Sequence, residues 1–485
     1  MTECGLPGGR LGKLKQAEAW PHQDGGVMSR HFDAIVIGTG QAGPYLTSRL
    51  AGAGKTVAVV ERGRFGGTCV NTGCIPTKAM VASAYAAHLA RRGAEFGVVV
   101  PDAVTVDMKR VKARKDEISG KSREGLETWL KGMENCTVYE GHARFESARE
   151  VSVGDERLSA DRIFINVGGR ARVPEIGGLD QISYLNNSSM MDVDYLPRHL
   201  IVVGGSYVGL EFGQMFRRFG SEVTILEMGP RLVPREDEDT SAAIREILEH
   251  EGICVRVNAK CIAFARNGKG ITAEVDCARG MPVVHGSHAL IATGRRPNTD
   301  DLGLENAGVA VDKHGYIVVD DELKTSVAGI WAMGDCNGKG AFTHTSYNDA
   351  EIVVGNLLEN DPRRVSDRIV AYNLYIDPPL GRAGMTEAEV RKTGRKALIG
   401  TRPMTKVGRA VEKGESQGFM KVLVDAETKQ ILGASILGVG GDEVIHSILD
   451  VMYAKAPYTV IQRAVHIHPT VSELIPTMLG ELREL

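Results

Sequence analysis

The feature that most constrains this chain is a strand, glycine turn, helix and strand pattern that occurs twice. The first copy reads HFDAIVIGTGQAGPYLTSRLAGAGKTVAVVE, and its glycines Gly38, Gly40 and Gly43 follow the G-x-G-x-x-G spacing. The first glycine allows a tight turn, the second lets the backbone approach a pyrophosphate, and the third lets the helix pack on the strand. Glu61 follows Gly38 by 23 residues, where a carboxylate accepts hydrogen bonds from the ribose hydroxyls of a dinucleotide.

The second copy reads HLIVVGGSYVGLEFGQMFRRFGSEVTILE and places Gly204, Ser206 and Gly209 in the three glycine positions. Glu227 ends its second strand, again 23 residues after the first glycine. Ser206 departs from glycine at the pyrophosphate position, which a small side chain tolerates with a slightly longer backbone approach. Because the terminal carboxylate is kept, we interpret this copy as a second dinucleotide site rather than as a unit that only packs.

Other strands end in glycine or acid at Gly168–Gly169, at Gly294 and at Asp335. Ligands bind at the carboxyl ends of strands in α/β sheets. Asp335 is suited to accept a hydroxyl hydrogen bond from the ribityl chain of a flavin, and the alternative is an aspartate that only forms a turn. The following AFTHTSYNDAEIVVGNLLE is predicted to be a helix whose N-terminal dipole stabilises negative charge on a reduced flavin.

Composition excludes several classes of protein. Lys and Arg number 58 against 61 Asp and Glu, a net charge of −3, so we expect no nucleic-acid partner. No apolar run approaches the roughly 20 residues of a membrane span. The eight cysteines are too sparse for a disulfide scaffold, and the N-terminus resembles no secretory signal, so we expect a cytoplasmic protein. Residues 1–30 lack periodicity and are predicted to be a disordered tail.

A cysteine pair follows the first glycine turn in GGTCVNTGCIPTK, with Cys69 and Cys74 five positions apart. Pro76 favours a helix start there, which places both sulfurs near an N-terminal dipole that stabilises a thiolate. A zinc site would require further Cys or His ligands, and residues 55–85 contain none. We therefore predict a redox-active disulfide rather than a metal site.

A dithiol that carries electrons also needs a proton acceptor, because the attacking species is the thiolate. His468 lies in HIHPTVSE, and Glu473 follows it by five residues, so its carboxylate can fix the imidazole tautomer. A lone histidine is more often structural or solvated, but together with the dithiol the pair indicates acid/base chemistry. His466 is expected to point elsewhere if this stretch is extended.

These motifs and AMGD occur together and in one order, and over about residues 32–480 the chain resembles the pyridine nucleotide–disulfide oxidoreductases. That group includes glutathione reductase, dihydrolipoyl dehydrogenase and mercuric reductase. The resemblance implies an α/β fold with two Rossmann-like domains, for FAD and NAD, and a C-terminal α+β dimerisation domain. The implied divisions are 31–170 for FAD, 171–300 for NAD(P), 301–370 for the FAD return segment, and 371–485 for dimerisation.

The resemblance also implies roles for individual residues. Cys74 corresponds to the thiol against the flavin, and Cys69 to the interchange thiol that meets the substrate. His468 and Glu473 correspond to the acid/base pair, which in this family serves the dithiol of the partner subunit. The active unit implied is a homodimer with its sites across the interface.

Further positions are implied at the cofactors. Lys78 and Glu211 resemble the ion pair near the flavin N5, and Tyr207 resembles the ring that covers the flavin until the nicotinamide arrives. The backbone from Gly141 to Ala143 resembles the contact to the FAD adenine. The remaining implied cofactor-binding residues are Thr68 and Gly294.

The stretches IFINVGG, DPPLGRAGMTE and APYTVIQRAVHIHPT look most like mercuric-reductase-like flavoproteins, which include the bacterial reactive-chlorine resistance enzyme. Mercuric reductases usually bear a C-terminal cysteine pair, yet no cysteine follows Cys336 here. We expect electrons to pass from NAD(P)H through FAD and Cys69–Cys74 to a small-molecule or protein disulfide, an oxidant or a metal ion. The alternatives are a dihydrolipoyl dehydrogenase and a flavin-bound redox sensor without turnover.

Glu227 further predicts that NADH is preferred over NADPH. A carboxylate here accepts hydrogen bonds from both ribose hydroxyls and repels a 2′-phosphate. Arg231 and Arg235 follow closely and oppose this prediction, because arginines accept such phosphates. We expect the four acids at 236–239 to engage those arginines instead.

Overall fold

The structure is a computed structural model that describes residues 29–100, 103–276 and 282–485. Of the predicted tail, residues 1–28 lie outside the described residues, and Arg30 already begins the first strand. The predicted class is confirmed, because two α/β units with parallel sheets precede a C-terminal α+β unit.

The first unit is a mainly parallel sheet that is packed between helices. Its strands are β1 (Arg30–Ile37), β2 (Val57–Glu61), β3 (Cys136–Glu140), β4 (Ala143–Ser147), β5 (Glu150–Val153) and β6 (Glu156–Ile165), and β7 (Gly169–Ala171) follows them outside this sheet. Its helices are α1 (Ala42–Gly52), α2 (Gly67–Asn71), α3 (Cys74–Arg91) and α4 (Met108–Lys131). The order β3-β2-β1-β6 is parallel, and β5 and β4 extend it as antiparallel strands. The apolar runs of β1 and β2 are buried, as expected for strands covered on both faces.

The second unit repeats this plan. Its strands are β8 (Tyr184–Leu185), β9 (His199–Val203), β10 (Glu222–Leu226), β11 (Cys254–Arg256), β12 (Lys260–Asn267), β13 (Gly270–Asp276), β14 (Val283–Gly286), β15 (His288–Ile291) and β16 (Arg295–Pro297), and its helices are α5 (Tyr207–Phe219) and α6 (Glu238–His250). The parallel order is β11-β10-β9-β15-β8, and β12, β13 and β14 form a separate antiparallel sheet. Strand β16 pairs antiparallel with β7, so the chain enters and leaves this unit through a two-stranded connecting ribbon.

The chain then returns to the first sheet. The elements of this segment are α7 (Leu304–Ala307), β17 (Ile330–Ala332) and α8 (Thr343–Val354). Strand β17 pairs parallel with β6, and its side chains join the same buried core as β1 and β2. The carboxyl end of β17 therefore lies at the sheet edge that carries the first glycine turn.

The C-terminal unit is an antiparallel sheet covered by helices. Its strands are β18 (Ala371–Leu374), β19 (Leu380–Gly384), β20 (Ala397–Pro403), β21 (Phe419–Asp425), β22 (Ile431–Leu437) and β23 (Arg483–Glu484). Its helices are α9 (Glu387–Lys392), α10 (Gly408–Glu412), α11 (Gly441–Tyr453), α12 (Thr459–Arg463) and α13 (Ile475–Gly480). The strand order is β18-β19-β22-β21-β20-β23, and α11 packs on β19 and β22. Within the described ranges, no helix is both long enough and apolar enough to cross a membrane.

Candidate active site

The first glycine turn leaves no room for side chains at two of its positions. A Cβ on Gly38, whose φ is +102°, would lie 2.3 Å from the carbonyl oxygen of Asn166. A Cβ on Gly43 would lie 2.3 Å from the carbonyl oxygen of Gly38. At Gly40 the nearest atom to such a Cβ is 3.4 Å away, so the backbone there is open to a ligand. This cradle at the start of α1 fits a pyrophosphate.

Asn166, which sequence reasoning missed, holds this turn from the next strand. Its side-chain amide donates hydrogen bonds to the carbonyl oxygens of Gly38 at 3.3 Å and Gly40 at 3.0 Å. The residue is buried at the end of β6. The signal in the sequence was the polar residue that closes an otherwise apolar strand in IFINVGG.

The Glu61 carboxylate is fixed at the end of β2. One oxygen accepts hydrogen bonds from the backbone N–H and hydroxyl of Thr39 at 2.9 and 2.6 Å, and the other accepts from the N–H of Gly63 at 2.9 Å. The N–H of Gly141 donates to the Glu61 carbonyl at 2.9 Å, and Ala143 is buried just beyond it. The predicted ribose and adenine positions therefore lie side by side.

The second glycine turn has the same geometry. A Cβ on Gly204 would lie 2.4 Å from the Ala292 carbonyl oxygen, and one on Gly209 would lie 2.0 Å from the Gly204 carbonyl oxygen. Ser206 is the N-cap residue of α5 and has an extended backbone, with φ −115° and ψ −178°. Any residue adopts that conformation, which explains why serine is accepted at this position.

Glu227 occupies the position that Glu61 occupies in the first unit. Its two carboxylate oxygens accept hydrogen bonds from the backbone N–H groups of Gly205 and Gly229, each at 2.6 Å. Gly294 follows the neighbouring strand β15, is exposed and has φ +114°. The carboxylate is therefore held in one orientation at the edge of the second sheet.

The expectation that the acids at 236–239 engage Arg231 and Arg235 is wrong for the carboxylates of Glu236, Asp237 and Asp239, which have other partners. Glu236 and Asp237 are buried against the C-terminal unit, 3.4 and 3.5 Å from the guanidinium of Arg382. Lys421 lies 3.0 Å from Asp237, and its side chain is 1% exposed. The reason is desolvation, because two buried cations from β19 and β21 require these carboxylates as partners.

The two cysteines of the predicted redox pair lie close together. Cys69 is in α2, Cys74 is the first residue of α3, and both are free thiols. The Thr343 hydroxyl lies 2.9 Å from the Cys74 sulfur. Within the described ranges, no group of three or more Cys, His, Asp or Glu side chains could hold a metal ion.

The surroundings of the two thiols shift their pKa values in opposite directions. The hydrogen bond with Cys69, together with the Thr343 hydroxyl and the charge of Lys78, lowers the pKa of Cys74 to about 6, although burial opposes this shift. The same hydrogen bond, with burial, raises the pKa of Cys69. The reduced pair therefore holds a Cys74 thiolate and a Cys69 thiol at neutral pH.

The Lys78 ammonium is held beside the dithiol. Its Nζ lies 2.7 Å from the Glu211 carboxylate and 4.4 Å from the centre of the Tyr375 ring. Glu211 is 8% exposed in its side chain, and its other oxygen accepts a hydrogen bond from the Tyr375 N–H at 3.0 Å. The pair is anchored from α5 and from β18, which precedes Tyr375.

Tyr207 begins α5 next to the second glycine turn. Its ring lies 5.5 Å from that of Phe342, which stacks on Tyr372 at 5.6 Å. Burial raises the pKa of the Tyr207 hydroxyl, so the ring is neutral. Phe342 directly precedes Thr343, so the ring that Tyr207 contacts belongs to the neighbour of the residue that contacts Cys74.

Asp335 follows β17 in a short turn and faces an arginine that sequence reasoning missed. The Arg295 Nε lies 3.5 Å from an Asp335 carboxylate oxygen, and its Nη2 donates to the Thr68 hydroxyl at 3.3 Å and to the Gly169 carbonyl. Burial raises the pKa of Asp335, and Arg295 opposes this shift. The signal was an arginine directly after the strand-end glycine in IATGRRPN.

His468 and Glu473 form a pair away from these groups. The His468 Nδ1 lies 2.9 and 3.1 Å from the two Glu473 carboxylate oxygens, and the imidazole is 81% exposed. Among the described residues, His468 makes no hydrogen bond to either cysteine. His466 points to the Ala464 carbonyl at 3.2 Å. In this chain the two cysteines therefore lie near Lys78, whereas the His468 imidazole, paired with Glu473, is exposed and does not contact them.

Comparisons with known proteins identify relatives that align with nearly the whole chain. The family model described as pyridine nucleotide-disulphide oxidoreductase matches residues 32–350, and the dimerisation domain of that family matches residues 370–479. The chain is 36% identical to the probable oxidoreductase RclA of Escherichia coli over 91% of this chain and 97% of that protein. It is 33% identical to a dihydrolipoyl dehydrogenase of Thermus scotoductus, covering 91% and 95% of the two chains.

A mercuric reductase of Streptomyces lividans is also 33% identical, over 92% of this chain and 94% of that protein. Among solved structures, the Cu(II) complex of the HOCl-induced flavoprotein disulfide reductase RclA of Escherichia coli superposes with a TM-score of 0.84. That structure is 35% identical and covers 92% of this chain and 99% of its own.

We expect Thr343→Val to raise the pKa of the Cys74 thiol. A hydrogen bond to a charged group contributes about 1.5–3 kcal/mol, which corresponds to about one to two pKa units. The alkylation rate of Cys74 in the reduced protein, mapped by mass spectrometry, should rise through about pH 6 in the wild type and at higher pH in the variant. Thr343→Ser keeps the hydroxyl and should keep the wild-type profile. An unshifted profile in Thr343→Val would contradict this account of the thiolate.

Proposed function

The chain belongs to the pyridine nucleotide-disulphide oxidoreductase family, and on that premise we propose that it passes an electron pair from NADH through FAD and a Cys69–Cys74 disulfide to an external acceptor. Membership makes it an NAD(P)H-dependent flavoprotein oxidoreductase. The observation that carries the proposed electron path is the Cys74 sulfur, held between Cys69 and Thr343 with its pKa lowered to about 6.

The first unit has the residues to hold FAD. Gly40 leaves the backbone open where a pyrophosphate would approach, and Glu61 supplies a fixed acceptor for ribose hydroxyls. Asp335, which Arg295 links to Thr68, would accept a hydrogen bond from the ribityl chain, and Lys78, paired with Glu211, would interact with the flavin. When bound, FAD supplies the two-electron chemistry that links a nicotinamide to the disulfide.

The two thiols have different roles because their pKa values differ. Cys69 has the higher pKa, and we assign it the interchange role that the family resemblance implies, so it needs a base before it attacks the acceptor. His468, with its Nδ1 held by Glu473, takes the Cys69 proton at Nε2. Cys69 then attacks one sulfur of an acceptor disulfide and releases the other as a thiolate, which the imidazolium protonates. Cys74 attacks Cys69, reforms the internal disulfide and releases the second thiolate.

A metal ion is the acceptor class that we favour, with Cu(II) as the specific proposal. Support comes from the related RclA, whose solved structure is described as a Cu(II) complex. The dithiol balances this reaction, because two Cu(II) ions become two Cu(I) ions while the Cys74 thiolate and the Cys69 thiol form their disulfide and release the one proton of Cys69. Dihydrolipoyl dehydrogenase remains the second candidate, since a relative of that name is 33% identical.

We expect the purified holoenzyme to reduce Cu(II) with NADH, and Cys69→Ser to lose at least 90% of that rate, about a tenfold loss, because the interchange thiol is gone. Trapping Cu(I) with a chelator and following NADH oxidation measures both sides of the reaction. Cys254→Ser is the matched control, since Cys254 is exposed on an edge strand of the second unit. Rapid dihydrolipoamide-dependent NADH formation without Cu(II) reduction would instead assign the second candidate. Negligible turnover with metal ions, disulfides and quinones would favour a redox sensor.

We propose a homodimer in which His468 serves the partner's dithiol. The matched dimerisation domain supports this assembly. Apolar side chains next to the histidine also support it, because Val465 is 100% exposed and Ile467 is 80% exposed. Adjacent apolar side chains left fully in water mark an interaction surface.

Mixing Cys69→Ser and His468→Ala subunits should therefore restore activity. Each heterodimer regains one of its two centres, so a statistical mixture should reach about a quarter of the wild-type rate. Each variant alone is the control and should stay inactive. Verified heterodimers without activity would show that the histidine does not act across the interface.

The proposed preference for NADH rests on Glu227, which two backbone N–H groups hold in place. The guanidinium of Arg231 donates hydrogen bonds to the carbonyls of Pro234 and Glu236 at 3.1 and 3.3 Å. Because Arg231 is bonded within its own loop, it also supports the preference for NADH. Arg235 is exposed and is the residue that opposes it.

We expect kcat/KM to favour NADH by about tenfold to a hundredfold, about 1.4–2.8 kcal/mol, since solvent partly screens the repulsion. Glu227→Ala should narrow the difference mainly by improving NADPH, and Arg235→Gln should widen it. Steady-state rates with both nucleotides provide the measurement. Equal or better use of NADPH by the wild type would mean that Arg235 outweighs Glu227.

A further inference from the structure

Thr343, whose hydroxyl contacts the Cys74 sulfur, lies between two residues with aromatic rings at the start of α8. The rings of Phe342 and His344 are nearly parallel, with an angle of 9° between their planes and 5.4 Å between their centres. The backbone of Phe342 is also tied into the helix, because its N–H donates to the Thr345 hydroxyl at 3.1 Å. The position of the Thr343 hydroxyl therefore depends on what holds these two rings.

Strand β18 of the C-terminal unit contacts both rings. The Tyr372 ring is nearly parallel to the Phe342 ring, with an angle of 8° between their planes and 5.6 Å between their centres. This spacing is typical of offset-stacked aromatic pairs. The carbonyl of the preceding residue, Ala371, accepts a hydrogen bond from the His344 Nε2 at 2.8 Å. Two consecutive residues of β18 thus contact the residues on both sides of Thr343.

The Tyr372 hydroxyl is fixed by the second unit. It donates a hydrogen bond to the Glu236 carboxylate, whose side chain is 1% exposed. Arg382 lies directly opposite Tyr372 in the ladder between β18 and β19, and its guanidinium lies 3.4 Å from the same carboxylate. Burial and the charge of Glu236 raise the pKa of Tyr372, so its hydroxyl stays protonated and remains a donor. The Tyr372 ring is therefore held between a buried carboxylate of the second unit and the start of α8.

We infer that Tyr372 is a positioning residue for the Thr343 hydroxyl at the Cys74 sulfur. A hydrogen bond weakens steeply when its donor moves out of line, so the ring beside Thr343 has to stay in place for the contact with sulfur to persist. Tyr372 holds that ring, because it stacks on Phe342 and is anchored at its own hydroxyl. The importance of this contact for turnover rests on the proposed function, in which the Cys74 thiolate reforms the internal disulfide.

The pH profile of Cys74 alkylation, measured in holoenzyme reduced with a phosphine, tests this inference. Tyr372→Leu removes the ring and should move the midpoint of the profile to higher pH by about half a unit or more, since a donor to the thiolate is displaced. In the Thr343→Val background, Tyr372→Leu should add no further shift, because the hydroxyl that it positions is already gone. A ring that only stabilises the fold would act equally in both backgrounds. Alkylation requires neither NADH nor an acceptor, so its outcome is independent of the proposed electron path.

Tyr372→Phe keeps the stacked ring and should give a smaller shift than Tyr372→Leu. Tyr347→Leu is the matched control, because it removes another ring of α8, which lies 4.7 Å from the Tyr45 ring, and it should leave the midpoint unchanged. Flavin content checks the fold of each variant. If Tyr372→Leu loses flavin, Phe342→Leu removes the other ring of the stack and replaces it, with the same expected result. An unmoved midpoint in Tyr372→Leu, an undiminished shift in the Thr343→Val background, or an equal shift in Tyr347→Leu would overturn the inference.

Discussion

The site depends on the hydrogen bonds that hold the Cys74 sulfur at the start of α3. Cys69 and Thr343 both contact this sulfur, and the charge of Lys78 lies near it. A thiolate among partly buried groups is costly unless donors and a cation compensate it. The three compensating groups come from α2, α3 and the start of α8; Cys69 contributes most to the lowered pKa, and the return segment adds Thr343. The acidity of Cys74 therefore depends on the local motif, which supplies Cys69 and Lys78, and on the fold, which brings Thr343 to the same sulfur.

The interleaved chain path explains how this juxtaposition arises. The second unit is inserted between β7 and β16, and β17 then completes the first sheet beside β6. This return delivers Asp335 and Thr343 to the carboxyl edge that already carries the first glycine turn. Because β7 and β16 are paired, Arg295 reaches Thr68 and Gly169 from the far end of the inserted unit. The ribbon therefore joins the second unit to the first beside Thr68 and Gly169.

Sequence reasoning found features whose chemistry is local. The glycine turns with their acids, the cysteine pair and the histidine–glutamate pair each lie within one short stretch, so spacing and residue type predicted them. The sequence did not predict roles for Asn166, Thr343 and Arg295, because these roles depend on partners that are distant in the chain. The acids at 236–239 were assigned to neighbouring arginines for the same reason. Glu236 meets Arg382, which is 146 residues away, and no local pattern indicates that contact. The implied roles of Lys78 and Tyr207 came only from family resemblance.

The central claim is that Cys69 and Cys74 form the disulfide that NADH reduces in this protein. The most direct measurement is an anaerobic titration of the oxidised holoenzyme with NADH, followed by differential alkylation and mass spectrometry. The account predicts two new thiols per chain, at Cys69 and Cys74, together with a long-wavelength absorbance that Cys74→Ser lacks. Consumption of NADH without new thiols at these positions would contradict it, as would an absorbance band that survives Cys74→Ser.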